Sequence, residues 1–157
     1  MDSLMKFEKL MNGMAETESD ACSDGQNRLR GLSSRVFQIL ETQAGIISDP
    51  ENDIFNSFAS TLLREIEHYE SLVARAAEQM NSDLADSVRN ISAPILKKVM
   101  TGYQCYLSAY QLLYGCLYYG DTQNSEAICE LGGEAEFHIV GALRSIDDVR
   151  DEYPMVA

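Results

Sequence analysis

The sequence predicts an all-α fold, an antiparallel helical bundle of about four long helices with short helices at the N-terminus and in the connections. Three observations lead to this prediction. Apolar residues recur at spacings of three and four along most of the 157 residues, which places them on one face of a helix. No segment alternates apolar and polar residues in the way that is typical of a strand. The hydrophobic share of 45% is ordinary for a globular protein, and the length suits the core of one domain.

Residues 1–14 are predicted to be a short amphipathic arm. A helix of this length is marginal alone, so its apolar face is expected to pack on its own bundle or, exchanged, on a second copy of the chain. Residues 16–27 are rich in acidic residues, Ser and Gly, a composition that predicts a flexible loop. The chain therefore divides into an arm with its loop, residues 1–27, and a helical bundle domain, residues 28–157.

Two helices are predicted to open the bundle domain. The first covers residues 27–47 and is broken by Gly45 and the Ser-Asp-Pro sequence behind it. The second starts at Pro50, where a missing backbone N–H costs little, and reaches about Met80. Residues 81–90 fit either a continuation or a separate short turn.

Residues 92–120 are predicted to form the central helix. Their apolar side chains occupy more than one stripe of the helix surface, so this helix needs neighbours on more than one side. Pro94 is placed in its first turn and Gly120 at its end. The segment has the length of a membrane span, but Gln104 and the tyrosine hydroxyls would be poorly solvated in lipid, so no membrane segment is expected.

A short segment over residues 121–131 and a last helix over residues 134–153 complete the predicted bundle. Gly132 and Gly133 separate the two, because glycine is unfavourable in a helix interior. Pro154 then closes the last helix.

The 12 Lys and Arg residues and 25 Asp and Glu residues leave a net charge of −13. Such a field repels nucleic-acid phosphates and anionic membranes, so neither is expected as a partner. It favours encounter with a basic protein, and it equally serves to keep a small protein in solution. The four cysteines form no Cys-x-x-Cys pair and the first residues carry no signal-peptide pattern, which predicts reduced, buried thiols in a cytoplasmic protein.

Glu65 and His68 lie three positions apart, on one side of the second predicted helix. This spacing resembles half of the di-iron carboxylate site of ferritin-like proteins, whose other half is a second Glu-x-x-His helix. The chain departs from that pattern at its other histidine, His138, because Glu134 stands four positions before it. The resemblance implies an alternative function, a metal-binding bundle of the ferritin-like oxidoreductase or metal-storage type with Glu65, His68, Glu134 and His138 as ligands. Without a metal, these are solvated side chains at the surface.

The leading prediction is a non-enzymatic interaction protein without a cofactor. No nucleophile stands beside a base and no glycine-rich phosphate loop is present, so no catalytic reaction is supported. The tyrosines of the central helix fit core packing and also a half-exposed face that receives a partner. We expect a protein partner or a second copy in a homo-oligomer such as a homodimer, with a regulatory, adaptor, antitoxin-like or chaperone-like role. The predicted contact residues are Tyr103, Tyr106, Tyr110, Tyr114, Tyr118, Met5, Phe7 and Met11.

Overall fold

The computed structural model describes residues 24–42, 53–80, 86–120 and 122–152 of the chain. These residues form four helices and no strand, which confirms the predicted all-α helical bundle. Among them, no helix is both long enough and apolar enough for a membrane span. Helix α1 is described over residues 24–42, and the others are α2 (Asp53–Met80), α3 (Asp86–Tyr119) and α4 (Ser125–Glu152).

Neighbouring helices of the bundle run antiparallel. Near the start of α1, Arg28 pairs with Glu65 of α2 at 2.9 Å. Arg35, two turns later in α1, lies over the ring of Phe58, two turns earlier in α2. Helices α2 and α3 are antiparallel, and so are α3 and α4, because earlier residues of one helix contact later residues of the next. These contacts are Phe55 with Tyr118, Tyr69 with Tyr103, Lys98 with Ser145 and Cys105 with Glu134.

Helix α3 packs between α2 and α4. Both of these helices contact α3, whereas no Cα atom of α2 lies within 8 Å of a Cα atom of α4. Helix α1 covers the groove between them, because its Gly25 lies against the Tyr106 hydroxyl of α3 and its Leu29 lies against Gly132 of α4. The fold is therefore a four-cornered bundle in which α2 and α4 occupy opposite corners.

Helix α1 already includes residues 24–27, which were expected to belong to the flexible loop. The rest of the predicted arm and loop, residues 1–23, lies outside the described residues, as do residues 43–52. The division of the chain at residue 28 therefore stays a prediction.

Helix α3 begins at Asp86 and not at Ser92, so Pro94 lies inside the helix and not in its first turn. Residues 86–90 therefore form the start of α3, and neither continue the second helix nor make a separate turn, whereas residues 81–85 lie outside the described residues. The carbonyl that loses its partner to the missing N–H of Pro94 belongs to the exposed Asn90, where water can satisfy it. The predicted end of this helix is correct, because Gly120 adopts φ +67, a left-handed conformation that terminates helices.

The predicted break at Gly132 and Gly133 is wrong, because α4 continues through both. Each glycine costs on the order of 1 kcal/mol of helix propensity. Gly132 is buried, and a Cβ atom added to it would lie 2.6 Å from Gln26 Oε1 and 2.8 Å from Leu29 Cδ2. The missing side chain lets α1 approach α4 closely, and this packing offsets the cost of the glycine.

The core is one cluster of apolar side chains from all four helices. Helix α3 contributes most of its largest members, which agrees with the prediction that this helix is central. The largest side chains with almost no exposure are Leu62, Leu96, Tyr103, Tyr106, Tyr110, Leu113, Leu117, Ile128, Ile139 and Ile146.

Candidate interaction surface

Three of the five tyrosines predicted as contacts lie inside the bundle. Tyr103, Tyr106 and Tyr110 are 2%, 0% and 0% exposed. They surround Tyr69 of α2, whose ring centroid lies 6.2, 5.1 and 5.6 Å from theirs. The sequence allowed either core packing or a partner face for this stripe. In the bundle these three side chains are core residues.

A buried carboxylate lies beside this tyrosine cluster. Glu65 stands one turn before Tyr69 on α2 and is 7% exposed, whereas its partner Arg28 is largely exposed. Burial, and then the charge of Glu65, raises the pKa of Tyr69 to about 12. Burial is also the main cause of the raised pKa of Tyr110, followed by the influence of Tyr69 and Glu65. The phenols are therefore neutral at physiological pH, which suits packing and not proton transfer.

The ion pair of Arg28 and Glu65, and the central place of Tyr69, were missed by the sequence analysis. A signal was present, because Glu65 falls on the same helical face as Leu62 and Tyr69. A carboxylate on an apolar face is rarely buried unless it has a partner. No such reasoning identifies the partner, since Arg28 comes from another helix.

The other two tyrosines belong to a partly exposed group of rings at the end of α3. Tyr114 is half-buried and stacks on Tyr118, with ring centroids 6.4 Å apart. Tyr118 is 58% exposed, and Tyr119, whose ring lies 5.1 Å from it, is 80% exposed. Phe55 from the first turn of α2 lies 6.5 Å from Tyr118. We call these four residues the aromatic patch. Phe55 was not among the predicted contact residues, because a contact between two helices does not show in the periodicity of one helix. Tyr119 was not among them either, because it lies outside the apolar stripes of α3.

The end of the bundle that carries the aromatic patch is acidic. Among its described residues, 36–42, 53–63, 110–120 and 122–135, there is no Lys or Arg. We call these residues the acidic end. Two arginines lie at its margin, because Arg35 covers the Phe58 ring and Arg64 donates a hydrogen bond to the Ser60 carbonyl. The acidic side chains of this end are all exposed, and they are Glu41, Asp53, Glu126, Glu130 and Glu134.

A cleft of about 470 Å³ lies between α1 and α2, next to the aromatic patch. Arg35 borders the cleft, and its guanidinium carbon lies 5.5 Å from the ring centroid of Phe58. Ile54 is 40% exposed at the cleft and directly precedes Phe55, so the cleft and the aromatic patch flank the same turn of α2. The apolar walls of the cleft are Leu32, Ile39, Ile54 and Phe58.

The remaining predicted contact residues, Met5, Phe7 and Met11, lie outside the described residues. Their part in a contact surface stays a prediction. The candidate interaction surface among the described residues consists of the aromatic patch, the cleft and the acidic end.

The four residues of the alternative metal site do not come together. Glu65 and His68 are on α2, and Glu134 and His138 are on α4, at the opposite corner of the bundle. Glu65 is engaged by Arg28, and both His68 and Glu134 are exposed, whereas the ligands of a bundle metal site point inward. Within the described ranges, no group of three or more His, Cys, Asp or Glu side chains is arranged to hold a metal ion.

The cysteines of the described residues are free thiols. Cys116 is buried and Cys105 is half-buried, but Cys129 is exposed, contrary to the expected burial. Burial, and then the Glu134 carboxylate 4.0 Å from its sulfur, raises the pKa of Cys105. A thiol with a raised pKa carries little thiolate at neutral pH, so the position of Cys105 favours packing over nucleophilic chemistry.

Comparison with known proteins gives no match. No family model matches the chain, and neither a curated protein nor a solved structure matches it significantly.

Proposed function

We propose that this protein is a non-enzymatic helical interaction protein, of regulatory or adaptor type, that binds a protein partner through the aromatic patch. The observation that carries the proposal is the exposure of Tyr118 and Tyr119, at 58% and 80%. The same helix buries Tyr103, Tyr106 and Tyr110 completely or almost completely. Helix α3 thus separates its tyrosines into a core group and a surface group.

Covering the exposed rings would supply binding free energy. A fully buried aromatic side chain removes about 150–250 Å² from water. Half of that area for each of two rings contributes about 4–6 kcal/mol, at about 25 cal/mol per Å² and before the costs of association. Tyrosine is also enriched among the residues that dominate protein–protein interfaces. A group of exposed rings therefore favours a contact surface.

A single exposed ring elsewhere provides the matched control. Phe137 on α4 is 75% exposed, and the only ring contact described for it is with its neighbour His138. Isolated exposed hydrophobic residues are normal on protein surfaces and need no partner. Phe137 lies in the middle of α4, away from the end of α3.

The test is affinity capture from an extract of the source organism with three forms of the protein. These are the natural chain, a Tyr118→Ser/Tyr119→Ser variant and a Phe137→Ser control, all with the same circular dichroism spectrum. We expect one protein to be retained by the natural chain and by the control and lost from the patch variant. Once purified, that protein should bind the patch variant at least about tenfold more weakly, a change of about 1.4 kcal/mol.

Equal retention by all three forms would contradict the proposal. A second copy of the chain is the competing occupant of the patch. Sedimentation at increasing protein concentration detects it as a dimer that forms in the natural chain and not in the patch variant. Such a dimer without any other retained protein would replace the proposed partner by self-association.

A further inference from the structure

We propose that the partner presents a basic amphipathic helix, which places apolar side chains in the cleft between α1 and α2 and cationic side chains against the acidic end. This inference rests on the proposed function, because it names the chemistry of the protein segment that the aromatic patch receives. It is carried by the cleft and by the distribution of charge.

The cleft suits the apolar face of a helix. Its volume of about 470 Å³ lies within the range of about 300–1,000 Å³ that binding pockets occupy. Helices bind in grooves through apolar side chains three and four positions apart. Ile54 belongs to the cleft and adjoins Phe55 of the aromatic patch. One bound helix can therefore contact both surfaces.

The charge selects a basic occupant. The acidic end has five exposed carboxylates against the two arginines at its margin, Arg35 and Arg64, so negative charge is in excess among the described residues. Cations on a partner gain attraction from each of these carboxylates and are guided to this end of the bundle. A second copy would bring its own charge of −13, and its acidic end would repel this one. A basic helix is therefore favoured over self-association at the cleft.

Removing the charge of Arg35 distinguishes a basic occupant of the cleft from an anionic one, because their affinities should change in opposite directions. Among the described residues that line the cleft, Arg35 is the one cation, and its guanidinium lies over the ring of Phe58. It forms no ion pair with another described residue. A basic occupant is repelled by Arg35, whereas an anionic occupant would pair with it. Removing this charge must therefore strengthen the binding of the first and weaken that of the second.

The probe is a fluorescently labelled synthetic peptide of Leu and Lys, with Leu at helical spacings of three and four. A peptide of the same composition in scrambled order has the charge without the apolar face. A third peptide carries Glu in place of Lys. Binding to the full chain is followed by fluorescence anisotropy at about 0.01 M and about 0.15 M salt, where the Debye length is about 30 Å and about 8 Å.

Single charges of the protein are then removed, first two carboxylates of the acidic end and then the cation of Arg35. Glu41→Gln and Asp53→Asn should each raise the Kd of the patterned peptide by about two- to fivefold, the size expected for one exposed ion pair. Arg35→Gln should lower the Kd by a similar factor. The controls Asp147→Asn and Asp148→Asn change exposed carboxylates at the far end of α4 and should leave the Kd unchanged.

The inference is supported if the patterned peptide binds more tightly than the scrambled one, loses affinity in salt, and responds to Arg35→Gln and to the acid variants in opposite directions. Equal binding of the scrambled peptide overturns it, because charge alone would then act. Preferred binding of the Glu peptide, weakened by Arg35→Gln, overturns it in favour of an anionic occupant. Equal weakening by the control variants also overturns it.

Failure of this inference is distinguishable from failure of the proposed function. The comparison of the Tyr118→Ser/Tyr119→Ser variant with the Phe137→Ser control uses the natural partner and no assumption about its charge. If the patch variant loses a partner that is acidic, the proposed function stands and the basic helix is wrong. If all forms retain the same proteins, the proposed function is wrong as well.

Discussion

Tyr69 connects pH to the stability of the bundle. Burial, and then Glu65, raises its pKa from the ordinary value of 10.0 to about 12. The phenol ionises more easily in the unfolded chain, so the stability that it contributes is complete below about pH 10 and is lost as the pH rises to about 12. We expect the free energy of unfolding to fall by about 3 kcal/mol across this window from Tyr69 alone. Urea denaturation at a series of pH values measures the fall, which should be shallower in Tyr69→Phe. A fall of the same size in that variant would show that other groups cause it.

The ion pair beside Tyr69 is asymmetric, and so are the expected effects of breaking it. The side chain of Arg28 is 62% exposed, whereas that of Glu65 is 9% exposed. Arg28→Ala leaves a buried carboxylate without its cation and should cost about 1–3 kcal/mol of unfolding free energy. Glu65→Gln removes the charge but keeps the volume, so a smaller loss is expected. The control is Arg30→Ala, an exposed arginine on the same helix. If Arg28→Ala and Arg30→Ala destabilise equally in urea denaturation, the buried carboxylate does not depend on the pair.

Two glycines of helix α3 differ in the space beside them, so replacing each by alanine should change the stability in opposite directions. A Cβ atom at Gly102 would lie 2.6 Å from Ile139 Cγ1 and 3.1 Å from the backbone oxygen of Ala135, both on α4. Gly102→Ala should therefore force α3 and α4 apart and cost about 1–3 kcal/mol. At Gly115 a Cβ atom meets nothing within 4 Å, so Gly115→Ala should raise stability by about 0.5–1 kcal/mol through helix propensity. Thermal unfolding of the two variants decides the matter, and stabilisation by both would mean that the close contact of α3 and α4 is not rigid.

The helices and their apolar faces could be predicted from sequence, but two of their boundaries could not. Periodicity is a local property, and it correctly indicated helices around the positions of all four. Pro94 and the pair Gly132–Gly133 were taken as boundaries because each is unfavourable inside an isolated helix. In the bundle, Asn90 beside the first is exposed to water, and α1 packs against the second. Tertiary surroundings therefore decided both boundaries.

At the scale of the whole molecule, the spacing of the tyrosines on α3 also could not predict which of them are buried. Helical spacing gives the direction of a side chain around α3 but not its depth along the bundle. Tyr103, Tyr106 and Tyr110 face Tyr69 in the middle of α2 and are buried, whereas Tyr118 faces only the first turn of α2 and is 58% exposed. The candidate surface thus depends on where the neighbouring helices begin and end. Those positions are set by packing among all four helices, which no single segment of sequence contains.

The uneven charge of the whole molecule leads to a prediction about salt. The acidic end holds five exposed carboxylates among its described residues and no Lys or Arg, in a chain of net charge −13. Repulsion among these groups opposes the compact state and is screened as the Debye length falls from about 30 Å at 0.01 M salt to about 8 Å at 0.15 M. We expect the Tm to rise by about 2–4 °C over this range, which corresponds to about 1 kcal/mol for a domain of this size.

Neutralising part of the acidic end should reproduce the effect of salt. In Glu41→Gln/Glu130→Gln, the Tm at low salt should already be raised and its increase with added salt should be smaller. The matched control, Asp147→Asn/Asp148→Asn, removes the same number of charges at the other end of α4, where Lys98 donates a hydrogen bond to Ser145 and places a cation nearby. These carboxylates lie outside the acidic end, so the increase with salt should stay as large as in the natural chain. If salt lowers the Tm of the natural chain, attraction outweighs repulsion in the folded state, and the acidic end is not a source of strain that a basic partner would relieve.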